Sequence, residues 1–273
     1  MNHNPVKSAI RQFGLPRIII VGFFIFLVIA AGGFQMNLMQ LLSDCVRRWG
    51  MFGILTLAMV PAVQCGIGLN FGISMGIVGG LLGGLIVIEL DVARIPALVA
   101  VGPMFGMWVS VLVAILIGVV LATGIGYLYG LLLNQVKGSE MTVTTYVGFS
   151  IIAFMNMLWM LLPFQNGELK WPNAGKGLRN TISLSTSFSG VMNDTLSFKI
   201  GNFTVPTGLL LFMFFMCLLV WLFMKSKTGM AMSAAGSNPM FAKAAGINVN
   251  RMRLVGTTLS TVLAAVGIIV YAQ

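Results

Sequence analysis

A chain of 273 residues with one histidine and three cysteines has few ways to do covalent or metal chemistry. Cys45, Cys65 and Cys217 show none of the short spacings that grip a metal, and His3 sits at the start of the chain. The pattern argues against a metal site and against a structural disulfide. No His, Cys or carboxylate pair falls at ligand or acid–base spacing within the apolar stretches, which leaves nucleophilic and metal-assisted catalysis without residues. Gly175–Lys176–Gly177 lacks the upstream glycine spacing and the hydroxyl residue of a phosphate loop, so the chain shows no means of binding ATP. Asp44 beside Arg47 and Arg48 reads as a charge group at a membrane boundary. The apolar stretches also lack the mid-depth ionisable residues that ion-coupled carriers display. The expectation is no enzyme and no cofactor, with any energy source on another polypeptide.

What remains is the chemistry of backbone and small side chains, concentrated in two segments. GMAMSAAGSNPMFAKAAGINVNRMR, from Gly229 to Arg253, offers Ala231, Ala234, Ala235, Gly236, Ala242, Ala244, Ala245 and Gly246 as a surface on which a partner can pack closely. Lys243, Arg251 and Arg253 keep it out of the bilayer. Asn238–Pro239 fits a helix start, Met240 to Ala245 a short helix, and Gly246 its stop. This is the pattern of a docking element; a plain interhelical turn is the alternative. The second segment, CGIGLNFGISMGIVGGLLGGLIVIEL from Cys65 to Leu90, is too rich in glycine for an ordinary span. Gly66, Gly68, Asn70 and Gly72 read as a break in a helix beside a translocation path, because irregular backbone at membrane depth is tolerated where it lines a cavity. The glycines after Gly76 read as a packing face.

The elements that position these segments follow from composition. Hydrophobic residues make up 58% of the chain and charged residues 8%, with a mean hydropathy of +0.98. Soluble domains carry about 25% charged residues, so this is a membrane protein. Apolar runs at 18–34, 50–66, 70–88, 98–122, 143–163, 206–224 and 252–271 are each long enough to cross about 30 Å of hydrocarbon as a helix. The fold class is therefore all-α, a polytopic bundle of about seven transmembrane helices forming a single transmembrane domain over 1–273. The basic residues before the first run suggest a signal peptide. That run is of span length with no small-residue cleavage site after it, so a retained helix is expected. The net charge of +10 sits in short flanks, which fits membrane topology better than nucleic acid. Lys7, Arg11 and Arg17 place the tail 1–17 in the cytoplasm, as Lys225, Lys227, Lys243, Arg251 and Arg253 place 225–251, with six passes between. Glu89, Asp91 and Arg94 then lie outside, with the loop 164–205, read as a structured cap or as a solvated loop.

One pattern is specific to a family. G-x-A-x-x-A-x-G-x-N-P-x-x-A-x-x-x-G-I, carried by Gly229, Ala231, Ala234, Gly236, Asn238, Pro239, Ala242, Gly246 and Ile247, resembles the coupling segment of bacterial ABC importer permeases of the ribose-transport type. Residues 37–63 and 259–273 are similar to the same family, which takes in permeases for monosaccharides, the autoinducer-2 signal and, more distantly, nucleosides and branched-chain amino acids. The resemblance implies an inner-membrane subunit with a cytoplasmic N-terminus that passes a small polar solute, a monosaccharide or related compound. Nucleoside, autoinducer-2 or amino-acid transport is the alternative, and a non-transporting scaffold or an ion-coupled carrier the alternative of another class. The implied partners are the lipid bilayer, a second permease subunit in a homo- or heterodimer, an ABC ATPase subunit and an extracytoplasmic solute-binding protein, and no nucleic acid. Gly236, Asn238, Pro239, Ala242, Ala245, Gly246 and Ile247 would form the ATPase-coupling site, with Ala242, Ala245, Gly246 and Ile247 facing the ATPase groove. Where sugar permeases of the family carry G-G-I-D-L-S-V-G, this chain has Cys65–Gly66–Ile67–Gly68–Leu69–Asn70–Phe71–Gly72, without the aspartate and serine. The family also continues through further spans, so the given sequence is expected to be a truncated or shortened member.

Overall fold

A computed structural model of the protein describes residues 14–166, 169, 187–188, 190–201 and 203–273. His3, Lys7, Arg11, Trp171–Pro172 and Gly175–Lys176–Gly177 lie outside them. In chain order the helices are α1 (Leu15–Gly33), α2 (Leu38–Leu57), α3 (Met59–Gln64), α4 (Ser74–Glu89), α5 (Pro96–Val99), α6 (Pro103–Gln135), α7 (Glu140–Leu161), α8 (Val191–Asp194), α9 (Thr207–Lys225), α10 (Lys227–Ser237), α11 (Pro239–Ala244) and α12 (Val249–Tyr271). Short 3-10 turns span Phe71–Ile73 and Val92–Arg94. Among the described residues, seven helical stretches are long and apolar enough to cross a membrane: Pro16–Gly33, Leu38–Gln64, Phe71–Arg94, Met104–Gln135, Glu140–Trp159, Thr207–Lys225 and Val249–Tyr271. The helical membrane bundle expected from the sequence is the fold found.

Two helices outrun their apolar runs. The run ending at 122 continues as α6 to Gln135, because Thr123, Gly124 and Gly126 interrupt hydropathy without interrupting the helix. At 33 residues α6 is roughly 50 Å long, well beyond the hydrocarbon thickness. Likewise α2 starts at Leu38, twelve residues before the run at 50, with an amphipathic first half holding Asp44, Arg47 and Arg48.

The chain divides into two compact units, one of Met1–Arg47 and Phe198–Val205, the other of Arg48–Ser197 and Pro206–Gln273. In the smaller, α1 begins with Pro16 in its first turn and buries none of its span. A two-stranded antiparallel hairpin pairs β1 (Phe198–Ile200) with β2 (Phe203–Val205), Lys199 opposite Thr204, and holds the only strands among the described residues. Ser43 on α2 donates its hydroxyl to the Thr204 carbonyl at 2.6 Å.

The larger unit is built on α4, α6 and α12, packed against one another. Lipid tails are as apolar as leucine, so helices associate here through close fit. Small residues make the fit. A Cβ on Gly76 would overlap the Thr261 carbonyl of α12, and one on Gly79 would stand 3.0 Å from the Ala122 backbone of α6. On Gly83 it would stand 2.6 Å from the Gly118 amide nitrogen. Gly126 and Gly130 of α6 press in turn on Thr261 and Thr257 of α12. The threonines stay satisfied, Thr257 by the Arg253 carbonyl at 3.0 Å and Thr261 by the Ala122 carbonyl across the interface at 3.2 Å. As a result 61% of the α12 span is buried, the largest share in the bundle.

Polar contacts gather at the two ends of this unit. One end joins Lys137 to Asn250, Glu140 to Arg253 and Gln64 to Ser233. At the other, the Glu89 carboxylate accepts from the Gln165 and Asn166 amides, and Gln273 binds Gly190 and Met192. Of the stretch 164–205, Leu169, Phe188, Val191 and Met192 are buried in the main core. Gly83→Leu should cost at least ~1–3 kcal/mol through overpacking and lower the yield of monodisperse protein in detergent. Gly84, with nothing within 4 Å of an added Cβ, should accept alanine unchanged. Equal yields for the two variants would show that the glycine face is not a packing face.

Candidate functional site

The stretch Gly66–Gly72 does interrupt a helical span. Helix α3 closes with the Gly66 amide on the Val63 carbonyl and the Ile67 amide on the Ala62 carbonyl, the Schellman pattern that needs a left-handed residue. Gly66 supplies it at φ +80°, and Gly68 follows at φ +87°. The chain then turns through Asn70 into the 3-10 turn before α4.

Asn70 holds this irregular backbone in place. It is fully buried. Its Oδ1 accepts from the Gly72 amide at 3.1 Å and from the Tyr129 hydroxyl of α6 at 2.8 Å, while its Nδ2 donates to Ser260 Oγ of α12 at 3.2 Å. A Cβ on Gly72 would overlap the Tyr129 hydroxyl, so glycine is needed for the ring to reach. Ser260 lies midway along α12, roughly 16 Å from its first residue, so the interruption sits at membrane depth. Of the predicted path residues, Asn70 and Gly72 face inward. Gly66 and Gly68 are exposed, together with Leu69 and Phe71.

The segment 225–251 is two helices rather than one. Three side chains cap its starts: Ser226 accepts from the Gly229 amide, Asn238 from Phe241 and Asn248 from Arg251. Pro239 occupies the first turn of α11, and Gly246 closes it at φ +80° with the Ile247 amide on the Ala242 carbonyl. The helix is the one expected, but its facing is different. Ala242 is fully buried with Ala235 and Val249, so its side chain supports the turn and cannot face a partner. Gly236 is pressed on the backbone of Gln64 to Gly66. Ala245 and Gly246 are exposed and Ile247 is half-buried. The sequence reading missed Met240 and Phe241, which are 78% and 67% exposed among smaller exposed residues and Lys243. Their signal was available: large apolar side chains beside a proline-started turn, adjacent to an alanine that must point inward.

Arg253, counted among the cations that mark the cytoplasmic flank, is buried, paired with Glu140 at 2.5 Å and bonded to the Leu133 carbonyl. Lys137 donates to Asn250 Oδ1 at 2.6 Å and Asn134 to its carbonyl at 2.9 Å, completing a junction between α12 and the α6–α7 turn. Among the described residues no three His, Cys, Asp or Glu side chains gather where a metal ion would bind. The two segments singled out by sequence touch: Gly236 lies against Gly66, and Ser233 Oγ donates to Gln64 Oε1 at 3.2 Å.

Residues 41–273 match the protein family described as the permease component of branched-chain amino acid transport systems. No curated protein and no solved structure matches the chain.

Replacing Asn70 with leucine would leave the Tyr129 hydroxyl, the Ser260 hydroxyl and the Gly72 amide without their partner, at about 1–3 kcal/mol for each group left unsatisfied. Asn70→Leu should therefore lower the thermal midpoint in detergent far more than Tyr129→Phe, which removes one bond. Equal midpoints for Asn70→Leu and the unaltered chain would mean that the amide does not secure the break.

Proposed function

The chain belongs to the family of permease components of branched-chain amino acid transport systems, and from that membership we propose that it forms half of the membrane pathway of an ATP-driven importer of small solutes. It is a multi-pass membrane protein by its seven spans and its family. The observation that carries the proposal is the exposed pair Met240 and Phe241 on a helix capped at both ends, with exposed Lys243 in its last turn. An apolar knob beside a lysine suits an apolar groove with an acidic flank on a soluble ATPase subunit. Ala245 and Gly246 join that face, while Gly236, Asn238, Pro239 and Ala242 hold its shape.

On this reading the end of the larger unit that holds Gln64, Lys137, Asn250 and α10–α11 is cytoplasmic, and the end with Glu89 and Gln273 is extracytoplasmic. The positive-inside bias supports the orientation, since Lys137, Lys225, Lys227, Lys243 and Arg251 all attach to the first end. The tail 1–17 is then cytoplasmic, and the membrane is the bacterial inner membrane. A second permease subunit completes the pathway beside Gly66, Gly68, Leu69 and Phe71, and an extracytoplasmic binding protein delivers the solute.

A monosaccharide or related compound is the solute by resemblance to the ribose-type permeases. One observation favours a second reading, a branched-chain amino acid. Asn70, the one amide or hydroxyl side chain in Cys65–Gly72, is committed within the fold, so the side chains left exposed there are the apolar Leu69 and Phe71. Such a wall offers no bonds to sugar hydroxyls and suits an aliphatic side chain.

The test is uptake into vesicles that hold the chain with its ATPase and binding protein, assayed with labelled monosaccharides and branched-chain amino acids in parallel. Phe241→Asp with Met240→Asp should leave membrane insertion unchanged, abolish co-purification of the ATPase and abolish uptake. Retention of both by the double variant would remove the coupling assignment and leave a passive membrane component.

A further inference from the structure

Gly66 and Gly236 meet with no side chain between them. A Cβ on Gly66 would stand 2.8 Å from the Gly236 Cα, and one on Gly236 would overlap the Gln64 carbonyl and stand 2.8 Å from the Gly66 nitrogen. Beside this contact runs the hydrogen bond from Ser233 to Gln64. Met232, fully buried, shares a cluster with Cys65 and Ile67. One helix of the coupling segment thus grips one edge of the helix break directly, backbone on backbone.

The other edge of the break is held elsewhere. Asn70 is bonded to α6 through Tyr129 and to α12 through Ser260, and Gly72 lies under the Tyr129 ring. The Gln64–Gly66 edge also lies close on α12: an added Cβ on Gly256 would stand 2.6 Å from the Cys65 sulfur and 3.0 Å from the Pro61 carbonyl, and the Cys65 thiol donates to the Arg253 carbonyl at 4.0 Å. Between the two edges Gly68 has φ +87°, is exposed, and has nothing within 4 Å of an added Cβ.

We propose that the break is a driven joint. Gln64–Gly66 moves as one body with α10, pivoting on the side-chain-free Gly256 of α12, while Asn70–Gly72 stays fixed to α6 and α12 and the backbone at Gly68 absorbs the difference. Close-packed backbone has little compressibility, so displacement of α10 passes across the Gly66–Gly236 contact without loss. A hinge requires a few residues free to change φ and ψ, and only Gly68 in this stretch combines open space with a dihedral that glycine takes freely. The inference rests on the importer reading, and it adds that ATPase and pathway are linked by main chain at one named point.

The test bridges the driven edge to the coupling helix. With Cys45 and Cys217 replaced by alanine and buried Cys65 left in place, Gln64→Cys and Ser233→Cys are joined by a short, reducible bis-methanethiosulfonate linker. Reconstituted with the ATPase and binding protein, the bridged chain should keep its ATP-driven uptake, and bridging yield should be the same with and without nucleotide. Gly236→Val should push the two backbones apart, and Gly68→Val should stiffen the hinge. Each should cut uptake roughly five- to 150-fold, the range of ordinary coupling between sites, while ATP hydrolysis continues. Uptake lost on bridging and restored by dithiothreitol would show that the segments slide past each other, which overturns the joint while the importer stands. Absence of ATP-driven uptake by the unaltered chain would overturn the importer and the joint together.

Discussion

In hydrocarbon no water is present to satisfy a backbone amide or carbonyl, so any departure from helix must be answered by the protein itself. The hydrogen bonds of Asn70 are that answer. One of them answers the backbone directly, at the Gly72 amide, and the other two reach the Tyr129 and Ser260 hydroxyls of two other helices, which fixes the break relative to the core. An interrupted span at mid-depth is otherwise costly, and here its neighbours α6 and α12 remain helical through the same depth.

The same requirement explains why α4, α6 and α12 are so poor in large side chains at their contacts. Tyr129 reaches Asn70 only because Gly72 leaves room for it, and α12 comes near enough for Ser260 to bond only because Gly76 and Gly80 let it lie on α4. Close approach is therefore the means by which the polar network forms, as well as a source of van der Waals attraction. Thr257 and Thr261 belong to this interface for a related reason: each is small and satisfies its own hydroxyl on a nearby carbonyl.

Local signals in the sequence carried much of this. Asn238–Pro239 and Gly246 mark the ends of α11 because capping acts over three or four residues, and the same holds for the glycines that close α3. The spans were legible from hydropathy, except where Thr123 to Gly126 masked the second half of α6. What sequence did not reveal is set by partners far along the chain. The rotation of α11, which hides Ala242 and turns Met240 and Phe241 outward, depends on α10 and α12. The pairing of Arg253 with Glu140 joins residues 113 apart, and nothing local distinguishes that arginine from Arg251. The hairpin at 198–205 lay within a polar stretch whose short strands gave too little alternation to stand out.

The distance in sequence between these partners has a consequence for biogenesis. Glu140 leaves the ribosome 113 residues before Arg253, about 6–23 s at ordinary synthesis rates, and enters the membrane boundary without its counter-charge. Over the same interval the grooves on α4 at Gly76 and Gly80 wait for α12 to fill them. The helix at the centre of the bundle is thus the last of the described helices to be made. A nascent chain that lacks it exposes an unpaired carboxylate and open backbone clefts, features that a chaperone or membrane protease can read as unfinished. Completion of α12 closes both at once, so its arrival doubles as a checkpoint for the described part of the bundle.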